Sequence, residues 1–235
     1  MLRFRFSILA AALLVPALST PGFGVSIIDH PENTGSNPYL PSKDAPGYLA
    51  GWETIDQRFG LDGDLDENGN PVESVTQSFT LDAATTLKSI FVSYNDSRAG
   101  GVVRVSIDLG NNGSVDFTQD ITLPSLTPGA DATTPRTKPQ NWLELDFSSE
   151  NISLPAGTSS FTLAGVSEED GSTSFLFAPQ YEIAPSGYDG GSMTLNFAST
   201  TGDLGFGIAG TQVPEPSALL LLGLSGLGLL RRRRA

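Results

Sequence analysis

Residues 103–121 read VRVSIDLGNNGSVDFTQDI. Val103, Val105, Ile107 and Leu109 alternate with Arg104, Ser106 and Asp108. Successive side chains of a strand point to opposite faces, so this alternation separates an apolar face from a polar one. Asn112-Gly113 follows, a pair that tolerates positive φ and suits a two-residue hairpin turn. Val115, Phe117 and Ile121 then resume the apolar face, with Asp116, Thr118 and Asp120 opposite. The stretch predicts a β-hairpin with one face in a core. Leu143, Leu145 and Phe147 repeat the pattern.

Outward from this hairpin the chain keeps the same texture. Short apolar runs are punctuated by Gly, Ser, Thr, Asn and Asp, and helical periodicity is absent. Strands are expected near 48–55, 73–82, 87–94, 102–109, 114–123, 142–147, 159–166, 174–182, 192–197 and 203–209. Many short strands with turn signals at this spacing predict an all-β fold, an antiparallel β-sandwich of jelly-roll type. Residues 30–47 and 124–140, rich in Pro and Gly, are expected to be loops. Neither divides the chain, so 25–212 is expected to form one domain.

The two ends have a different chemistry. Arg3 and Arg5 precede an apolar stretch from Phe6 to Leu18, and small residues follow in Ser19-Thr20-Pro21-Gly22. That order predicts a secretory signal peptide over 1–24, cleaved after Ser19 or near Gly24. At the other end Pro214-Glu215-Pro216 is followed by an uncharged run from Ser217 to Leu230, then by Arg231, Arg232, Arg233 and Arg234. As a helix the run spans about 21 Å, short for a hydrocarbon core of about 30 Å. Four arginines at one end place the C-terminus in the cytoplasm.

This tripartite tail over 213–235 resembles the PEP-CTERM sorting signal of exported bacterial proteins. The resemblance implies a transmembrane sorting helix recognised and removed by an exosortase-type enzyme. It makes Pro214, Glu215 and Pro216 the sorting motif and the four arginines the transmembrane stop. The implied course is export, an inner-membrane-anchored precursor, then the cell surface or extracellular space.

Composition agrees with export. Six of the 13 basic residues lie in the two ends, which leaves the body and the Pro-Glu-Pro segment seven against 26 acidic residues, a net of −19. Such a surface repels nucleic acid and anionic lipid and favours divalent cations. There is no cysteine, which excludes thiol catalysis and Cys-type zinc sites.

A second resemblance rests on Ile152-Ser153-Leu154-Pro155-Ala156-Gly157-Thr158, Phe161-Thr162-Leu163, Tyr188-Asp189-Gly190-Gly191 and Asp203-Leu204-Gly205-Phe206. These phrases are similar to the ectodomains of choice-of-anchor surface proteins, themselves similar to carbohydrate-binding jelly rolls. The resemblance covers roughly 75–209. It implies the fold and, as an alternative function, carbohydrate binding in an exopolysaccharide or biofilm matrix.

Chemistry-bearing residues are sparse. His30 is the one histidine, placed between Asp29 and Pro31 in the expected entry loop. Acids are plentiful, but abundance in an acidic exported domain is no catalytic pattern, so no enzyme is expected. Asp64, Asp66 and Asn68, with Gly69, match the start of a D-x-[DN]-x-[DN]-G calcium loop, and Asp62 could add a ligand in a different arrangement. Alternate oxygens on a tight loop suit the six to eight ligands of calcium. The twelfth position is Val75 where that pattern needs Glu, so an acidic hairpin tip is the competing account. Of the aromatics, Trp52 and Trp142 are expected in the core and Tyr188 on the surface. The sequence thus predicts a non-catalytic surface or matrix protein, with no cofactor beyond calcium.

Overall fold

The computed structural model describes residues 24–30, 47–52, 57–58, 61, 73–97, 100–124, 141–167, 177–183, 188–196 and 201–214. These form strands β1 (Ser26–His30), β2 (Tyr48–Trp52), β3 (Gln57–Arg58), β4 (Ser74–Leu81), β5 (Thr85–Ser97), β6 (Val102–Asp108) and β7 (Phe117–Thr122). They continue with β8 (Asn141–Asp146), β9 (Ser153–Leu154), β10 (Gly157–Ser167), β11 (Phe177–Ile183), β12 (Met193–Leu195), β13 (Thr201–Leu204) and β14 (Phe206–Gln212). Among the described residues there is no helix. Residues 1–23 of the expected signal peptide, the acidic segment 62–70, Glu215, Pro216, the apolar run and the four arginines lie outside the described residues.

The strands pair antiparallel in two sheets. One has the order β1-β8-β5-β14-β2, with β9 also on β5. The other has the order β7-β6-β10-β4-β12-β13-β11-β3. β11 belongs to both, because Phe177, Ala178 and Pro179 continue onto β5. The alternation seen in the sequence sets the inner faces. Val103, Val105 and Ile107 of β6, Val75 and Phe79 of β4, and Phe161 and Leu163 of β10 face Ile90, Val92, Leu143 and Leu145 of the other sheet in one core. A chain of ring contacts runs through it, Phe79 to Phe161 at 6.4 Å and Phe161 to Phe206 at 5.9 Å.

The expected hairpin is present, with Val103 opposite Ile121 and Ile107 opposite Phe117. Its turn is not the two-residue one that Asn112-Gly113 suggested. The connection runs from Leu109 to Asp116, and positive φ falls on Gly110, Asn111 and Gly113 rather than on Asn112. The reason lies in two carboxylates. Asp108 accepts the amides of Asn112 at 3.0 Å and Gly113 at 2.7 Å, and Asp116 accepts that of Leu109 at 2.7 Å. These side chains compete with the strand ladder for backbone donors and widen the loop. Val115 leaves the apolar face and is 59% exposed. His30 ends β1, opposite Trp142, rather than sitting in a loop.

Pairing also fixes which segments share an end. Ser26 is opposite Asp146, Asp146 is opposite Ser89, and Gln212 is opposite Thr85. Leu81 is opposite Gly157, and Asp108 is opposite Ser160. The start of β1, the end of β14, the 82–84 turn and the 109–116 loop therefore lie at one end. The starts of β4, β6 and β8 and the ends of β5, β7 and β10 lie at the other.

Candidate functional site

The tail leaves the fold from an interior strand. β14 lies between β2 and β5, with Phe206 opposite both Trp52 and Val92. The β2 register ends with Ala209 opposite Tyr48, followed by one bond from the Gly210 amide to the Gly47 carbonyl at 2.9 Å, while the β5 side continues through Gly210, Thr211 and Gln212 to Leu87, Thr86 and Thr85. The Val213 amide makes one more bond, donating to the Ala84 carbonyl at 2.8 Å. Side chains from Thr211 to Pro214 are exposed. Gly210 is required here because a Cβ would stand 2.5 Å from the Thr86 carbonyl oxygen. Of the sorting residues predicted from sequence, Pro214 is thus placed one residue beyond the last ladder bond.

A second region is the outer face of the larger sheet. Thr118, Ser106, Thr162, Thr76 and Thr194 are successive cross-strand partners on β7, β6, β10, β4 and β12. At about 4.8 Å between strands they make a row of hydroxyls. Thr76 and Thr162 hydrogen-bond at 2.8 Å, and Ser106 and Thr118 at 3.1 Å. Beside the row, the Arg104 guanidinium forks onto both Asp120 oxygens at 2.6 and 3.0 Å. This pairing, led by the hydrogen bond, holds the Asp120 carboxyl below its ordinary range and raises Arg104.

At the edge of that face the 188–192 loop is stitched to β4. Thr80 Oγ1 donates to the Gly190 carbonyl at 2.7 Å, and Ser78 Oγ accepts the Ser192 amide at 2.9 Å. Gly191 passes so close that a Cβ would stand 2.1 Å from the Ser78 carbonyl oxygen. Tyr188 is not the surface residue the sequence suggested. It is half-buried, edge-on to Phe206 at 5.2 Å, with its amide donating to buried Asp203 at 3.3 Å. Burial raises its hydroxyl pKa, which the Thr80 amide opposes and the Asp203 charge reinforces.

Buried polar groups elsewhere hold strands together. Gln77, fully buried, accepts the Leu204 amide at 2.8 Å and donates to the Ser78 carbonyl at 2.9 Å. Tyr94 donates to Asp29, and Ser89 to Glu144 at 2.6 Å. Sequence reasoning missed Gln77, although its place in the alternation between Val75 and Phe79 was a signal. Trp52 packs against the core as expected, whereas Trp142 is buried on the face of β8 opposite Leu143 and Leu145, outside the core cluster. Among the described residues no group of three His, Cys, Asp or Glu could hold a metal. Asp62, Asp64, Asp66 and Asn68 are not among them.

Residues 212–234 match the PEP-CTERM protein-sorting motif. The chain therefore carries the signal of an exported, exosortase-processed protein. That motif ends a body whose described residues form two antiparallel sheets. No curated protein matches the chain. Among solved structures, the crystal structure of the infectious bursal disease virus VP2 subviral particle matches at 16% identity, over 77% of this chain and 48% of the viral one. The chain spans about half that viral chain, with a TM-score of 0.19. Among the described residues no helix is long and apolar enough to cross a membrane.

Proposed function

We propose that the protein is a non-catalytic surface or extracellular-matrix component. Its body is held at the membrane by the tail until an exosortase-type enzyme removes it. The observation that carries this is the sorting motif over 212–234, at the end of a folded domain. The net charge of −18 over residues 25–212 supports a soluble body repelled by anionic lipid. A purely structural role is supported by Gln77, Ser89 and Tyr94, whose polar groups tie strand to strand. The test is intact mass in the native host. The mature chain is expected to start between residues 20 and 27 and to lack Ser217 to Ala235. Replacing Pro214, Glu215 and Pro216 by alanine is expected to leave an uncleaved, membrane-held form. A mature form that keeps its four arginines would overturn the proposal.

The body is further read as a jelly roll. Support comes from two strand orders, β2-β14-β5-β8 in one sheet and β4-β10-β6-β7 in the other. Winding one antiparallel ribbon into two Greek keys gives this nesting, in which 2 lies beside 14, 4 beside 10, 5 beside 8 and 6 beside 7. The remaining strands extend the edges. Lectin domains share that architecture, and the hydroxyl row from Thr118 to Thr194 offers donors and acceptors suited to sugar hydroxyls. These observations favour exopolysaccharide binding as the second function. A glycan array on the body, with Thr76→Val and Thr162→Val as the control, decides between the two.

A further inference from the structure

The matched sorting segment starts at Gln212, which is also the last residue of β14. Fold and signal therefore overlap. Gln212 is opposite Thr85, and the Val213 amide is held by the Ala84 carbonyl. The uncharged run begins at Ser217, four residues beyond Val213. Four extended residues span at most about 14 Å, so this end of the body is confined close to the membrane surface. The start of β1, the 82–84 turn and the 109–116 loop crowd the same end. Asp82 and Asp116 are exposed there, and their charge disfavours closer approach to anionic headgroups.

An enzyme that cuts a peptide segment holds it extended through backbone hydrogen bonds, as strand-adding domains do. The β5 edge already occupies that role for Gln212 and Val213. Strand ends open locally at low free energy, well below that of global unfolding. We propose that the processing enzyme takes its substrate only after the last rungs of β14, at Gln212 and Val213, have left β5. The folded body then sets the rate at which the tail is removed. This rests on the exosortase function proposed above.

Three full-length precursors, pulse-labelled in the native host and followed by intact mass, test it. The first is the parent. The second carries six Gly and Ser residues between Thr211 and Gln212, so that 212–234 is kept whole but moved off β5. The third carries Thr86→Cys with Thr211→Cys. These are cross-strand partners, near bridging distance, in a chain with no other cysteine. The inserted chain is expected to be shortened several-fold faster than the parent. The bridged chain, its bridge verified by thiol titration, is expected to be shortened several-fold slower and to recover on reduction. A parent shortened at the same rate as either variant overturns this inference and leaves the exosortase function standing. A parent never shortened at all removes both.

Discussion

Ile107 has no exposed surface and sits between two aromatic cross-strand partners, Phe117 and Phe161. Truncation to alanine leaves a hole that neighbours on three strands can only partly close. We expect Ile107→Ala to cost about 2–5 kcal/mol by urea unfolding. Ile107→Asp should yield no cooperative transition, since an unpaired buried charge costs several kcal/mol more. A native-like melt for the aspartate variant would contradict the core position. Tyr188 makes a prediction about pH. Its folded pKa is raised above the unfolded value, chiefly by burial. The neutral phenol is therefore favoured by folding, and that contribution is intact below about pH 10, the ordinary tyrosine value. It is lost as pH climbs through the raised folded value. Tyr188→Phe should flatten the alkaline limb of the stability curve and leave the curve near pH 7 with the same shape. An unchanged alkaline limb would place the titrating group elsewhere. The Arg104–Asp120 fork has the opposite sign, weakening as acid protonates Asp120. Its exposure of 34% and 45% limits it to at most about 1 kcal/mol.

The 109–116 loop shows how two side chains can overrule a turn dipeptide. Asn112-Gly113 alone favours a tight turn, yet Asp108 and Asp116 gather backbone amides from both sides of it. Asp108→Ala would leave the Asn112 and Gly113 amides to solvent, and a cost of about 1–2 kcal/mol is expected from the lost charge-assisted bonds. Denaturant midpoints would show it, and a cost below the scatter would mean the loop is held by its glycines instead. The 188–192 loop makes a stiffer demand. Gly191→Ala should destabilise by about 1–3 kcal/mol, because the Ser78 carbonyl that its Cβ would strike is backbone in the middle of β4. These elements also mark what the sequence could reveal. The strands β4, β6, β7, β8 and β10 were legible because their apolar residues alternate with polar ones, and β5 because Ile90 to Val92 form a short apolar run buried on both faces. β1 and β9 were not, since Ser26–His30 and Ser153–Leu154 carry too few residues of either pattern. The end of the last strand was placed three residues early, at 209. Gly210 and Thr211 look like a turn, and only their pairing with Leu87 and Thr86 makes them strand. The sorting motif needed no fold at all, because it is read as a linear signal. Its overlap with β14 could not be seen without the register.

The molecule as a whole carries a charge that must be told apart from any specific ion site. With a net of −18 outside its ends, the body gains stability from salt by screening alone. A calcium site at Asp62, Asp64, Asp66 and Asn68 would behave differently. Clustered carboxylates repel until a divalent ion sits among them, and binding to the native state alone adds about 2.7 kcal/mol at a hundredfold excess over Kd. With an affinity typical of extracellular modules, about 10⁻⁴ to 10⁻³ M, millimolar calcium should raise Tm by a few degrees and magnesium by less. Asp64→Asn with Asp66→Asn should erase that difference. Equal responses to the two ions, or an unaltered response in the double variant, would leave an acidic hairpin tip.

β14 has one more consequence, a mechanical one. Any drag on the anchored precursor, from flow or from a growing matrix, is transmitted through the tail along the axis of this strand. The strand is gripped on both flanks, by seven residues' worth of register with β5 and four with β2. Ladder hydrogen bonds lie perpendicular to the strands, so an axial pull shears them together instead of breaking them one by one. A peripheral strand pulled sideways would peel like a zip. Here the load is shared, and the body can hold fast against tension while its last rungs, at Gln212 and Val213, open to admit the enzyme.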